Sequence, residues 1–103
     1  MQLPTKISSH YKYTETINLK KLGIRKKIDV YLALDTQKKS VLIVYITQKS
    51  RFLQKDVDKI EEIITTIKNT LEKDIEDKII LIESPLCSKA KTKLESQYWN
   101  IIL

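Results

Sequence analysis

The residues best placed to do chemistry lie between Ile28 and Leu53. Asp29 opens one apolar run, IDVYLAL, and the polar group Tyr45, Thr47, Gln48 and Lys49 closes or follows the next, VLIVYIT. A carboxylate oxygen is a hard ligand suited to magnesium, so an acid on one strand beside polar groups on its neighbour is a layout that can build a metal site. The closing group offers a phenol, a hydroxyl, an amide and an ammonium, which is a poor ligand set. The stretch is therefore either an active site or the remains of one. Other chemistries have less to work with. His10 is the only histidine, so no histidine cluster forms within one chain. Cys87 is the only cysteine, which excludes an internal disulfide and a multi-cysteine zinc site. With no histidine near it in sequence, Cys87 reads as an idle thiol. A glycine-rich phosphate loop is excluded because Gly23 is the only glycine.

The elements that position Asp29 follow from hydrophobic period. Residues 28–34 and 41–47 are nearly continuous apolar runs, typical of central strands covered on both faces. The polar DTQKKS between them has the length of a hairpin loop. Pairing symmetric about Lys38 sets Asp29 opposite Thr47 and Tyr31 opposite Tyr45, with all four on one face. A slip of one residue breaks that grouping. Upstream, residues 11–19 alternate, with Tyr11, Tyr13, Glu15, Ile17 and Leu19 on one face of a half-exposed strand. Residues 20–27 form a turn around Gly23 that carries Lys20, Lys21, Arg25, Lys26 and Lys27.

Downstream, Leu53, Val57, Ile60, Ile64, Ile67 and Leu71, widened by Ile63, trace one apolar face of a helix over residues 52–73. Early acids and late lysines suit its dipole. Residues 78–83 read as a buried strand, Ser88 as the cap of a short helix with Ala90 and Leu94 inside, and residues 98–103 as a last strand. The fold class is α/β (α+β): a mixed five-stranded sheet flanked by helices in the order β-β-β-α-β-α-β, its first half an antiparallel meander and its second half parallel. Residues 1–10 are an irregular arm before a single domain over 11–103.

Charge is unevenly spread. The net charge is +6 over 103 residues, but residues 1–55 hold 12 Lys/Arg against three acids and residues 56–103 hold seven against ten. A basic half of this kind attracts polyanions. Heavy use of isoleucine and lysine, with a single glycine, suggests a thermophile or an AT-rich genome. No signal-peptide run or membrane-length apolar segment is visible, so a cytoplasmic protein with no membrane partner is expected.

The order of elements, with Asp29 opening one strand, a polar cluster closing the next and a long helix after it, resembles the PD-(D/E)XK nuclease-like (restriction-endonuclease-like) fold. KIILIESPLCSKAKTKLESQYWNIIL resembles the strand–helix–strand that closes that core, and the resemblance covers residues 28–103. It implies an Asp, then an acid and a lysine two residues on, that hold a divalent metal and activate a water. Asp29 matches the first acid. The acid and lysine positions fall on Tyr45 and Thr47, which match neither, so the resemblance implies a degenerate site with Asp29 as a vestigial acid. Magnesium enters only if the catalytic groups have migrated, with Glu15, or Glu61 and Lys59, joining Asp29.

The expected function is a small non-catalytic domain that binds DNA or RNA through Lys20, Lys21, Arg25, Lys26, Lys27, Lys38, Lys39, Lys49 and Arg51, without a cofactor. Tyr11, Tyr13 and Tyr31 can stack on bases where exposed. The alternatives are an accessory subunit or homodimer anchored by Tyr98 and Trp99, and a metal-dependent nuclease with migrated groups.

Overall fold

The computed structural model describes residues 11–23, 28–47, 49–71 and 75–102. The arm with His10, the cations Arg25, Lys26 and Lys27, and Gln48 lie outside the described residues. The elements are β1 (Lys12–Thr16), a 3-10 helix (Leu19–Leu22), β2 (Asp29–Leu34), β3 (Ser40–Ile46), α1 (Gln54–Leu71), β4 (Asp77–Ile82), α2 (Ser88–Ser96) and β5 (Trp99–Ile102). They form one five-stranded sheet in the order β1-β2-β3-β4-β5. β1, β2 and β3 pair antiparallel, and β4 and β5 join parallel, as the alternation of elements requires.

Both helices cover one face of the sheet. Val30 and Leu32 of β2, Leu42, Val44 and Ile46 of β3, and Ile80 and Ile82 of β4 pack in one core with Val57, Ile60, Ile63, Ile64 and Ile67 of α1 and with Ala90 and Leu94 of α2. These are the inner positions that the helical period assigned. Full burial of side chains of this size contributes about 1.5–3 kcal/mol each. The other strand positions form a second buried cluster of Tyr31, Ala33, Val41, Ile43 and Ile79, with Tyr11, Tyr45 and Ile102 packed against it. Tyr31 is only 5% exposed and so offers no face for base stacking. Burial, with Asp77 and Asp35 adding repulsion, pushes the Tyr11 phenol pKa up.

Four local readings are corrected. The even alternation over 11–19 is broken by a bulge between Tyr13 and Glu15. The extra residue moves Glu15 opposite Leu32 and Ile17 into the helix-covered core, whereas Tyr11 lies with the second cluster. The hairpin centres one residue earlier than Lys38, because the Asp35 carboxylate accepts from the backbone N–H of Gln37 and of Lys39, each at 2.8 Å. Helix α1 starts at Gln54, since Phe52 is drawn into a parallel bridge with Leu86. Asp56 then reaches back to accept from the Leu53 N–H at 2.8 Å. Lastly, Ser88 is the first residue of α2 and Cys87 its N-cap.

Candidate functional site

Sheet direction decides which side chains share an end. β2 starts where β3 finishes, and β3 and β4 are parallel, so the start of β2 and the carboxyl ends of β3 and β4 meet at one rim. In open sheets of this kind ligands bind outside the carboxyl ends of the strands. Asp29 lies opposite Tyr45, and Tyr31 opposite Ile43. The register differs by two from the symmetric expectation, and an even shift preserves faces. Asp29, Tyr31 and Tyr45 therefore share one face, as expected, although Asp29 faces Tyr45 and not Thr47. Asp29 and Thr47 are both exposed.

The rim also contains an acid that the sequence did not single out. The backbone N–H of Glu83 donates to the Ile46 carbonyl at 2.8 Å, which extends the β3–β4 ladder by one residue. The Tyr45 hydroxyl donates to Glu83 Oε2 at 2.5 Å. This hydrogen bond, aided by burial and by the fields of Glu83, Tyr31 and Asp29, pushes the Tyr45 phenol up to about 12. Glu83 thus serves as the acceptor of the phenol that falls where the nuclease resemblance would put its second acid. The only sequence signal for it was that it ends the apolar run KIILIE.

The donor set does not fit magnesium. Tyr45, a neutral phenol, and Thr47 occupy the positions where the resemblance would put the second acid and the lysine. Among the described residues, no group of three His, Cys, Asp or Glu side chains comes together that could hold a metal ion. The migrated candidates are engaged or placed elsewhere. Glu61 accepts from Trp99 Nε1 at 2.6 Å and lies 3.8 Å from Lys78 Nζ, at the start of β4 and β5. Lys78 Nζ sits 4.8 Å from the Trp99 ring centroid, and burial pulls its ammonium pKa down against the field of Glu61. Trp99 is 4% exposed and belongs to the main core, so it is no partner anchor. Glu15 shares the helix-covered face with Leu32, across the sheet from Asp29. Lys59 is an exposed residue of α1 on that covered side.

The expected cations divide between two ends. Lys20 and Lys21 lie in the 3-10 helix that leads toward the rim, held by the Asn18 side chain accepting from the Lys21 N–H at 3.3 Å and by Gly23 closing the turn at φ 77°. Lys49 and Arg51 occupy the loop from β3 to α1, also at the rim. Lys38 and Lys39 occupy the β2–β3 turn, at the opposite end. The seven residues of β3 separate the two groups, which at about 3.3 Å per residue is about 20 Å, beyond the Debye length of about 8 Å. In exchange, the rim gains Lys55 and Lys89 from the first turns of α1 and α2. Both helices begin there, laced by Phe52 N–H to the Pro85 carbonyl at 2.7 Å and Cys87 N–H to the Phe52 carbonyl at 3.1 Å. The Cys87 thiol makes no capping hydrogen bond, but the N–H groups of Ala90 and Lys89 favour its thiolate and lower its pKa, with Arg51 adding attraction.

No family model matches the sequence, and no curated protein does. Among solved structures, the chain is similar to EndoMS in its apo form, at 16% identity and a TM-score of 0.62, over 90% of this chain and 37% of that one. It is similar to a repair endonuclease from Pyrococcus abyssi, at 15% identity and a TM-score of 0.59, over 93% of this chain and 39% of that one. A complex of EndoMS with double-stranded DNA matches at 15% identity and a TM-score of 0.55, over 89% of this chain and 35% of that one. The chain spans a little over a third of the length of these structures. The mixed sheet with its two helices is the restriction-endonuclease-like fold of these repair endonucleases.

Proposed function

We propose that the chain is a non-catalytic DNA-binding domain that uses the rim of a nuclease-like fold to hold the phosphate backbone. The observation that carries this reading is the pairing at Asp29: its cross-strand neighbour is a phenol committed to Glu83, where a metal-dependent nuclease needs a second carboxylate. What remains at the rim is cationic. Lys20, Lys21, Lys49, Arg51, Lys55 and Lys89 outnumber Asp29, Asp56 and Glu83. The solved structure of EndoMS with double-stranded DNA supports DNA as the polymer. Cations of this kind position a backbone and carry no sequence readout.

The test is a salt series with labelled duplex DNA and RNA. With about four phosphates neutralised, the log–log slope should be about −3.6, so a fourfold rise in salt weakens binding roughly a hundredfold. Lys49→Glu and Lys20→Glu should each weaken binding, whereas Lys38→Glu at the far turn should not. Absence of binding to either polymer at low salt, or equal losses in all three variants, would overturn the reading.

A further inference from the structure

The rim has two sides, and they carry opposite charge. Alternation along the strands puts Asp29 on the face of Tyr31 and Asp77 on the face of Ile79, which is the face of the second buried cluster. Glu83 joins that face through its bond to the Tyr45 hydroxyl. Among the described residues of β2 to β5, no lysine or arginine stands there. Its charges are carboxylates.

The helix-covered side is the reverse. Leu19 is buried in the main core, so the 3-10 helix that bears Lys20 and Lys21 lies on that side. Lys55 and Lys89 are exposed in the first turns of α1 and α2. Phe52 belongs to the same core and Cys87 packs against it. Arg51 precedes Phe52, and the fields of Arg51 and Lys89 both reach the Cys87 thiol, so these two cations converge at the start of α2. The acids that open α1 are already engaged. Asp56 accepts from the Leu53 N–H at 2.8 Å, and Asp58 pairs with Lys93.

We propose that a DNA duplex crosses the helix side of the rim, from Lys20 and Lys21 past Arg51 to Lys55 and Lys89, and leaves Asp29, Tyr45 and Glu83 on the far side of the sheet. The proposal rests on the DNA-binding reading and names the surface that binds. Packed layers lie about 10 Å apart, and the Debye length is about 8 Å at physiological salt, so a phosphate on the helix side is largely screened from Asp29 and Glu83. On the other side the same phosphate meets two exposed carboxylates at close range and is repelled. The backbone contact has therefore moved off the face that the nuclease resemblance assigns to chemistry.

Duplex binding by single-charge variants, with Cys87 as a reporter, tests this. Lys55→Glu and Lys89→Glu should each flatten the log–log salt slope by about 0.9, which is roughly eightfold in affinity at about 0.1 M salt. Both positions are exposed in a helical first turn, where an added carboxylate favours the helix dipole, so the variants should fold. Asp29→Asn and Glu83→Gln should change affinity by no more than about twofold. Cys87 is the only cysteine and is half-buried at the start of α2, and saturating duplex should slow its alkylation by iodoacetamide severalfold. Strong tightening in Asp29→Asn, unchanged binding in Lys55→Glu and Lys89→Glu, or a Cys87 alkylated at the same rate in the retained complex would each overturn the helix-side path while leaving DNA binding intact. A chain that retains no duplex at low salt would overturn both readings together.

Discussion

Replacing Tyr45 by Phe removes one hydroxyl, the one that donates to Glu83 Oε2 at 2.5 Å. The phenol's pKa rises from 10.0 to about 12 chiefly through that bond, and in full such a rise is worth about 2.7 kcal/mol. Glu83 is exposed, so solvent screening reduces the contribution to about 1 kcal/mol, the usual net value of a hydrogen bond. A raised folded-state pKa means that the fold favours the neutral phenol. The contribution is therefore complete below pH 10, and it fades as pH climbs from 10 toward 12. Urea unfolding of the parent and of Tyr45→Phe should differ by about 1 kcal/mol at pH 7, and the gap should narrow above pH 10. Equal stability at pH 7, or a gap that persists unchanged to high pH, would refute the assignment of Glu83 as the phenol's acceptor.

Two further perturbations probe the same structure. Trp99→Phe deletes the donor to Glu61 and weakens the platform beneath Lys78; chemical denaturation should show a loss of about 2 kcal/mol, and a loss under about 0.5 kcal/mol would contradict the observed network. Tyr45→Glu places a carboxylate opposite Asp29 and beside Glu83. Like charges should cost about 1 kcal/mol without metal, and manganese should restore the melting temperature in this variant and not in the parent. A melting temperature indifferent to manganese in both proteins would show that the rim cannot gather three carboxylates.

Sequence reading reached the fold because the signals it used were local. The apolar spacing of Val57, Ile60, Ile64 and Ile67 is a property of one helix, and the runs around Val30 and Val44 announce strands buried on both faces. Even the hairpin face survived its register error, since pairing Asp29 with Tyr45 instead of Thr47 is an even shift. What escaped depends on how elements meet. Glu83 reaches Tyr45 only through the parallel register of β3 and β4, which a sequence period does not encode. The bulge after Tyr13 moved Glu15 to the other face, because period-two reading assumes an unbroken strand. Lys38 and Lys49 are near in sequence but at opposite ends of β3, whereas Lys89 is distant in sequence and shares the rim with Lys49. Trp99 was open to two uses until its indole N–H met Glu61.

The most direct test of a DNA-binding rim without catalysis is a single incubation of the chain with end-labelled duplex DNA and magnesium, read for both retention and strand length. The expected result is a retained, salt-sensitive complex in which the duplex stays intact, equally with and without a chelator. Magnesium-dependent cleavage that disappears in Asp29→Ala would contradict the account.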